Sequence, residues 1–542
     1  MSLTQNPSIV LTDVTFTWPD GTVVLKDVDA AFNPGRTGLI GDNGSGKTTL
    51  LRLLYGELTP SSGTIHTSGH VGYLPQQLTL NTATTVADLL GIREQLDALR
   101  AIESGDAAPR HFDTLGDQWD IDTRARTALE NIGLTAISLD RRIATLSGGE
   151  TILTALAGLR LCGDDIVLLD EPTNNLDRAA RHQLYEAITA WQGALIVVSH
   201  DVTLLDLMEE TAELHSASLR LFGGGYTSYR QQLGQEQAAA EQALRTAQQR
   251  LQTEQKQRIE AQTRISRRQR YARSDHAKKR KPKMVMNQRV ADAQVSASRL
   301  RSTHDADVAD ARRAVEELSG RVRDDAHIRI ELPGTDVPAR RRLAELSDDR
   351  GTRILIQGAD RVALTGPNGI GKTRLLQRLV HDRRARHQSV HARRHTERVG
   401  YLPQRMDHLD DDATILETIR CAAPRTPPGE IRAGLARFLF RGDTIHRRVG
   451  DVSGGERFRI ALAQLMLADP PNQLLVLDEP TNNLDLASID QLISALTSYR
   501  GGILVVSHDE AFLARLKLST WITLDADGLH LDRPPLPGTE EP

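Results

Sequence analysis

Cysteine is nearly absent. Two thiols, Cys162 and Cys421, stand far apart in a chain of 542 residues. They cannot build a disulfide framework, a zinc cluster or an iron–sulfur module, and a reducing, cytoplasmic setting is expected. Aromatic residues make up only 4% of the chain. No apolar run approaches the roughly 20 residues that cross a bilayer, so a membrane channel would have to come from another polypeptide. The opening stretch, Met1-Ser-Leu-Thr-Gln-Asn-Pro7, lacks the basic start and apolar centre of a signal peptide. A formal net charge of −4 excludes a generic polyanion binder. The 39% of hydrophobic residues is enough for packed cores, and the length suits three or four domain-sized units.

Glycine, by contrast, is placed with purpose. Gly41-Asp-Asn43-Gly44-Ser-Gly46-Lys47-Thr48 fits the phosphate-loop pattern G-x-x-x-x-G-K-[ST] in full. The apolar run 37–40 before it reads as a buried strand, and Thr49 opens a helix-like run after it. Backbone N–H groups of such a loop curl around phosphate oxygens, and the helix N-terminus adds partial positive charge. Lys47 reaches the β- and γ-phosphates, and Thr48 is placed to hold Mg²⁺. Gly366-Pro-Asn368-Gly369-Ile-Gly371-Lys372-Thr373 is a second copy, followed by Arg374. Two nucleotide sites on one chain are therefore expected.

The second loop belongs to a longer repeat. Val71-Gly-Tyr-Leu-Pro-Gln76 recurs as Val399-Gly-Tyr-Leu-Pro-Gln404, and Ser147-Gly148-Gly149-Glu150 as Ser453-Gly454-Gly455-Glu456. Asp170-Glu171-Pro-Thr-Asn-Asn-Leu-Asp177 recurs as Asp478-Glu479-Pro-Thr-Asn-Asn-Leu-Asp485, and Ser199-His200-Asp201 as Ser507-His508-Asp509. Order is preserved throughout, which marks a duplicated domain. Ser147 and Ser453 are 306 residues apart but Gln76 and Gln404 are 328 apart, so the first copy is longer by 22 residues within 78–145. A surface insertion accounts for that. Unalternating apolar runs such as Ile166–Leu169 and Leu474–Leu477 predict a mostly parallel sheet covered on both faces, hence an α/β fold.

Between the copies the composition changes. Residues 231–262 hold 11 Gln with almost no Pro or Gly, which favours helix. Leu233, Gln237, Ala240, Leu244, Ala247 and Leu251 step by four and three, as do Val308, Ala311, Val315, Leu318 and Val322. Both fit a coiled-coil seam, and a break near Lys281-Pro282 predicts an antiparallel hairpin. Residues 264–301 carry 13 Lys and Arg against two acidic residues. A cationic projection on a net-acidic chain suits a phosphate backbone, with Arg267, Arg268, Arg270, Arg273, Lys278, Lys279, Arg280, Lys281 and Lys283 as RNA contacts. Tyr271 and His276 could stack on unpaired bases.

The chemistry follows from the repeats. Asp170 and Asp478 end strands, where each would hold Mg²⁺ with Thr48 or Thr373. Glu171 and Glu479, one residue on, are placed to polarise the attacking water. His200 and His508 would contact the γ-phosphate, and Gln76 and Gln404 would sense Mg²⁺ or water. The Tyr-Leu-Pro before each Gln reads as packing. Ser-Gly-Gly-Glu forms a second phosphate-binding end, which one domain alone does not need but two facing domains do.

This constellation resembles the ATP-binding-cassette ATPases over residues 8–225 and 325–530. The resemblance implies two composite ATP sites. One pairs Lys47, Asp170, Glu171 and His200 with Ser453, Gly454 and Gly455; the other pairs Lys372, Asp478, Glu479 and His508 with Ser147, Gly148 and Gly149. Trp18 matches the aromatic that stacks on adenine, while the stretch taken as its counterpart, 328–332, offers none. Thr151 stands where a basic residue is common, whereas the second copy keeps Arg457, and Ile370 replaces a small polar residue. The two sites are expected to differ in rate.

Tandem cassettes without a membrane segment, joined by a basic helical linker, resemble the ABC-F family. That likeness implies a cytoplasmic ATPase, monomeric with intramolecular cassette pairing, using ATP and Mg²⁺. Its partner would be the ribosome, through rRNA and peptidyl-tRNA, in translation control or antibiotic protection. The expected layout is cassette 1 over 1–230, linker over 231–323, cassette 2 over 324–530 and a tail over 531–542. A transporter motor with a separate membrane subunit leaves the basic hairpin unexplained. A DNA-repair ATPase would need longer coiled coils or zinc modules.

Overall fold

A computed structural model describes residues 8–76, 84–135, 137–174, 176–277, 283–320, 335–381, 389–482 and 484–532. Nine strands build the first copy: β1 (Ser8–Thr17), β2 (Val23–Phe32), β3 (Gly35–Ile40), β4 (Ser62–Ser68), β5 (Val71–Leu74), β6 (Ile166–Asp170), β7 (Ala194–Val198), β8 (Glu210–His215) and β9 (Ser218–Gly223). β1 lies between β2 and β4 in an antiparallel sheet. The other six run β5-β6-β7-β3-β8-β9, parallel except for the β9 edge.

The second copy repeats this order with β10 (Arg342–Asp348), β11 (Arg353–Gln357), β12 (Arg361–Thr365), β13 (Val390–Arg394), β14 (Val399–Leu402), β15 (Leu474–Asp478), β16 (Gly502–Val506), β17 (Thr520–Asp525) and β18 (Gly528–Asp532). Its sheets run β11-β10-β13 and β14-β15-β16-β12-β17-β18. The α/β class and the duplication expected from sequence are both present.

The solid apolar runs are explained by burial on two faces. Along β6, Val167 and Leu169 enter one core while Ile166 and Leu168 enter the other. Along β15, Leu475 and Leu477 part from Leu474 and Val476 in the same way. Each central strand thus has no wet face, so alternation with polar residues would bury unpaired polar groups.

Helices of the first copy are α1 (Lys47–Tyr55), α2 (Val86–Leu89), α3 (Arg93–Glu103), α4 (Pro109–Leu115), α5 (Ile121–Glu130), α6 (Gly148–Cys162), α7 (Arg178–Thr189) and α8 (Val202–Asp206). Two long helices follow, α9 (Tyr226–Ala277) and α10 (Lys283–Ser319). The second copy has α11 (Lys372–His381), α12 (Ile415–Ala422), α13 (Pro428–Arg437), α14 (Gly454–Met466), α15 (Leu486–Ser498) and α16 (Glu510–Arg515). The two copies differ in the helices between their shared landmarks. Thr85 and Thr414 cap α2 and α12 with the same capping box and bridge to Arg142 and Arg448. Helices α3 and α4, packed on each other, lie after that shared landmark and have no counterpart among the described residues of the second copy.

Helices α9 and α10 form a compact unit of their own. Seam positions are covered: Leu233 and Ala311 are buried, and Gln237, Leu244, Leu251, Val308 and Val315 are half-buried. Arg258 pairs with Asp305 across the two helices at 3.5 Å. Arg267, Arg268, Arg270 and Arg273 fall on α9, with Arg267 and Arg270 exposed, and Lys283 opens α10. Lys278, Lys279, Arg280 and Lys281, with the break at Pro282, lie outside the described residues, as do Val322, most of the tail beyond 530 and the stretch 328–332. Among the described residues no helix is long and apolar enough to cross a membrane.

Candidate nucleotide-binding sites

Each phosphate loop joins a central strand, β3 or β12, to the helix that starts at its lysine. The loop backbone demands glycine. Gly46 has φ 102°, and a Cβ there would lie 2.1 Å from Val24 Cγ1. Gly366 has φ 141°, and a Cβ would lie 2.1 Å from the Leu524 carbonyl oxygen. Lys47 Nζ donates to the carbonyls of Gly41 (2.7 Å) and Asp42 (3.0 Å), and Lys372 Nζ to those of Gly366 (2.6 Å) and Pro367 (3.0 Å). The ammonium groups are thus held inside their loops, and burial pushes both lysines below their ordinary pKa.

The acidic strand ends meet the loops as expected. Thr48 Oγ1 donates to Asp170 Oδ2 at 2.8 Å, and Thr373 Oγ1 to Asp478 Oδ1 at 3.3 Å. Burial raises the pKa of both aspartates. Asp170 Oδ1 is buried without a hydrogen-bond partner. Of nine such atoms among the described residues, five lie in these two sites: Ser45 Oγ, Asp170 Oδ1, Glu171 Oε1, His200 Nδ1 and Glu479 Oε1. Each orphan costs about 1–3 kcal/mol, so their concentration here marks places built to receive a polar ligand. In the first site a hydroxyl bonded to a carboxylate whose second oxygen is unpartnered fits a Mg²⁺ ion, with Thr48 and Asp170 as donors; Thr373 and Asp478 are the same pair of groups in the second site.

Glu171 and Glu479 are strained. Both take left-handed backbone, φ 52° and 47°, which a non-glycine residue rarely adopts. Their N–H groups donate to the Val198 and Val506 carbonyls at 2.8 Å, pinning the turn. Such strain costs about 1–3 kcal/mol and gathers at functional sites. Burial lifts the Glu171 carboxyl to a pKa of about 8, against the pull of Lys47. It lifts Glu479 to about 7, against Lys372 and Arg181. His200 Nε2 lies 3.1 Å from Glu171 Oε1 without hydrogen-bond alignment. His508 Nε2 lies 3.0 Å from Lys372 Nζ and 3.1 Å from Asn368 Oδ1. Burial and the neighbouring lysine hold both imidazoles neutral, His200 to about 3 and His508 to about 4.

Other expectations meet a more detailed picture. Tyr73 and Tyr401, read from sequence as packing, place their hydroxyls on the strand-end carboxylates: 3.5 Å to Asp170 Oδ2 and 3.3 Å to Asp478 Oδ2. Gln76 and Gln404 are exposed, and Gln404 lines the second cavity. The Ser-Gly-Gly-Glu spacing is a reciprocal capping box. Ser147 and Ser453 accept from the Glu150 and Glu456 N–H groups, whose carboxylates accept in turn from the serine N–H. That explains the glutamate and leaves the first-turn N–H groups of α6 and α14 as donors.

Strand register places Trp18 and its counterpart in the second copy. Trp18 follows β1 and packs edge-on against Phe16, rings 5.0 Å apart. Its counterpart is not 328–332, because β10 occupies the place of β1. Register puts Arg353 opposite Ser347 as Val23 stands opposite Thr17, so Asp348 takes the tryptophan's place. Asp348 accepts from the N–H groups of Arg350, Thr352 and Leu529, a turn-forming role with no aromatic face to offer. Arg457 ties down the carbonyls of Met406 and Leu409 and pairs with Asp411. Thr151 instead bonds back to the Ser147 carbonyl. Ile370 packs against the second cassette's core.

The cassettes touch through Asp485, Arg178 and Glu510, to which sequence reading gave no role. Asp485 Oδ2 accepts from the Asn43 N–H at 2.9 Å, in the other copy's phosphate loop, while its Oδ1 caps α15 through the Ser488 N–H at 2.8 Å. Asp177 caps α7 through Ala180 at 3.0 Å. Arg178 pairs with Glu510 across the same interface. The second site opens as a cavity of about 380 Å³ lined by Lys372, Thr373, Asp478, Glu479 and His508, with Leu176 and Arg181 from the opposite copy. Asp177 and Asp485 recur at the same place after each Asp-Glu, but a helix cap alone accounts for that, so local sequence gave no signal for the crossing bond.

Comparison with known proteins agrees with this architecture. The ABC transporter family profile matches residues 25–174 and 351–482, just over half of the chain. The chain is 32% identical over 537 residues to the tylosin resistance ATP-binding protein TlrC of Streptomyces fradiae, covering 92% of this chain and 94% of that protein. It is 28% identical over 535 residues to ABC transporter F family member 2 of Arabidopsis thaliana, covering 92% and 74%. Among solved structures, the RNase-L Inhibitor matches with a TM-score of 0.53 at 17% identity over 95% of this chain and 88% of that one, a likeness of fold.

Proposed function

The chain belongs to the ABC-F family of tandem ATP-binding-cassette ATPases, and on that premise we propose that it couples ATP turnover to gripping the ribosome. ATP in the two sites draws the cassettes together, and the α9–α10 unit engages rRNA and peptidyl-tRNA while they are closed. The observation that carries this reading is the cationic run 264–301, 13 basic residues against two acidic in a chain of net charge −4. Resistance to a ribosome-directed antibiotic is the finer role favoured by the likeness to a tylosin resistance protein along nearly its whole length.

At each site the chain's own groups divide the work. Lys47 and Lys372 neutralise phosphate charge from within the loop. Glu171 and Glu479 accept a proton from the attacking water, a task suited to carboxylates raised toward neutrality. Mg²⁺, when bound, would offset charge on the β- and γ-phosphate oxygens. His200 and His508, kept neutral, can donate one N–H to the γ-phosphate end without adding charge. Hydrolysis then lets the cassettes part.

The test is ribosome pelleting with ATP, using the Glu171→Gln/Glu479→Gln chain with and without residues 278–286. The double variant should stay with ribosomes, and removing the tip should abolish the effect on translation. Failure of the double variant to co-sediment, or co-purification with a membrane polypeptide instead, would overturn the proposal.

A further inference from the structure

The two ATP sites have different walls where the opposite cassette closes them. Helices α7 and α15 match at an offset of 308, which sets Arg181 against Ile489 and Tyr185 against Ile493. Ile489 and Ile493 belong to the second cassette's apolar core. Arg181 instead lines the second site's cavity beside Lys372, Glu479 and His508.

Its side chain is only 11% exposed and firmly held. Nη1 donates to Asp201 Oδ2 at 3.0 Å, Nε to the Leu176 carbonyl at 3.4 Å, and the Tyr185 hydroxyl donates to the same Asp201 oxygen at 2.6 Å. Asp201 is anchored in turn, capping α8 through the N–H groups of Thr203 and Leu204. A guanidinium has five N–H donors, so three remain for another acceptor. A buried, oriented cation with unused donors in the wall of an anion-binding cavity is a preorganised phosphate contact.

We propose that Arg181 is a phosphate-binding residue supplied by the first cassette to the second ATP site, with isoleucine at the matching position of the first. The inference rests on the reading of both cavities as ATP sites. It makes the second site depend on cassette closure for a charge that the first site does not receive at the matching position, Ile489. Asp201, beside His200, supports this cation, so the switch region of one site is joined by two hydrogen bonds to the wall of the other.

Single-site chains test this. Lys47→Ala disables the first phosphate loop and Lys372→Ala the second, and a fluorescent non-hydrolysable ATP analogue is titrated with each full-length protein. In the Lys47→Ala background, Arg181→Ile should weaken binding about tenfold, the size of one charge-assisted contact. Arg181→Lys should recover most of that loss. In the Lys372→Ala background Arg181→Ile should change affinity less than twofold. Should Arg181→Ile misfold, Arg181→Gln, which keeps the length and loses the charge, should give a loss of the same direction. Equal losses in both backgrounds would reduce Arg181 to an interface strut, and no loss in either would also overturn the proposal. If Lys47→Ala alone bound no analogue, the assignment of the second cavity to ATP would fall instead.

Discussion

Asp485 tests how the cassettes are held to each other. Its carboxylate serves two donors, the Ser488 N–H of its own helix and the Asn43 N–H of the other copy's phosphate loop. An N-cap contributes about 1 kcal/mol. A hydrogen bond from a neutral N–H to a buried carboxylate adds about 1.5–3 kcal/mol. Asp485→Ala should therefore cost about 2.5–4 kcal/mol. Asp177 caps α7 without a hydrogen bond across the interface among the described residues, so Asp177→Ala should cost only about 1 kcal/mol. The difference isolates the crossing bond. Burial opposes the charge on Asp485, but the N–H groups of Asn43 and Ser488 win and hold its pKa below 3.8. Because the folded value is depressed, its contribution is complete above the unfolded pKa and is lost as pH falls through the folded one. The gap between the two alanine variants should thus be constant from pH 5 to 8 and shrink only in stronger acid. Thermal unfolding gives the overall cost, and amide hydrogen exchange of residues 41–48 reads the bond itself. Equal costs for the two alanines, with unchanged exchange at Asn43, would refute the argument.

Two further outcomes follow from the same physics. Asp509 is buried next to Asp201, and burial lifts its pKa from 3.8 to about 6; a raised acid favours the folded state below pH 4 and loses that advantage as pH rises through 6. Asp509→Asn, whose amide oxygen can still cap Phe512, should match the parent near pH 3.5 and exceed it by up to about 3 kcal/mol at pH 8, measured by thermal unfolding across pH. Gly366→Ala drives a Cβ onto the Leu524 carbonyl at a positive φ, and should cost about 2–5 kcal/mol with loss of analogue binding at the second site alone, read in the Lys47→Ala background.

Much of the site was legible because it is written in local patterns. A phosphate loop needs glycine where the backbone turns left-handed and a lysine one residue after the last glycine. Gly46-Lys47 and Gly371-Lys372 satisfy that without reference to the rest of the chain. The apolar runs along β6 and β15 announced a two-faced sheet, and the four–three steps of α9 and α10 announced a seam. The counterpart of Trp18 was misplaced because β10 carries no motif of its own, and only strand pairing with β11 fixes its register. Tyr73 and Tyr401 looked like packing because a tyrosine's hydroxyl partner lies across the sheet, 97 and 77 residues away.

Local sequence by itself determined the α/β class, the duplication, both phosphate loops, the acidic strand ends and the helical, cationic insert, since each depends on neighbours within a turn or a strand. Tertiary structure alone decided that Glu171 and Glu479 sit in strained left-handed backbone, that Asp485 reaches the Asn43 N–H, and that Arg181 rather than an isoleucine walls the second cavity. Those outcomes arise where two distant segments compete for one buried space, and no spacing along the chain encodes which charge will face which.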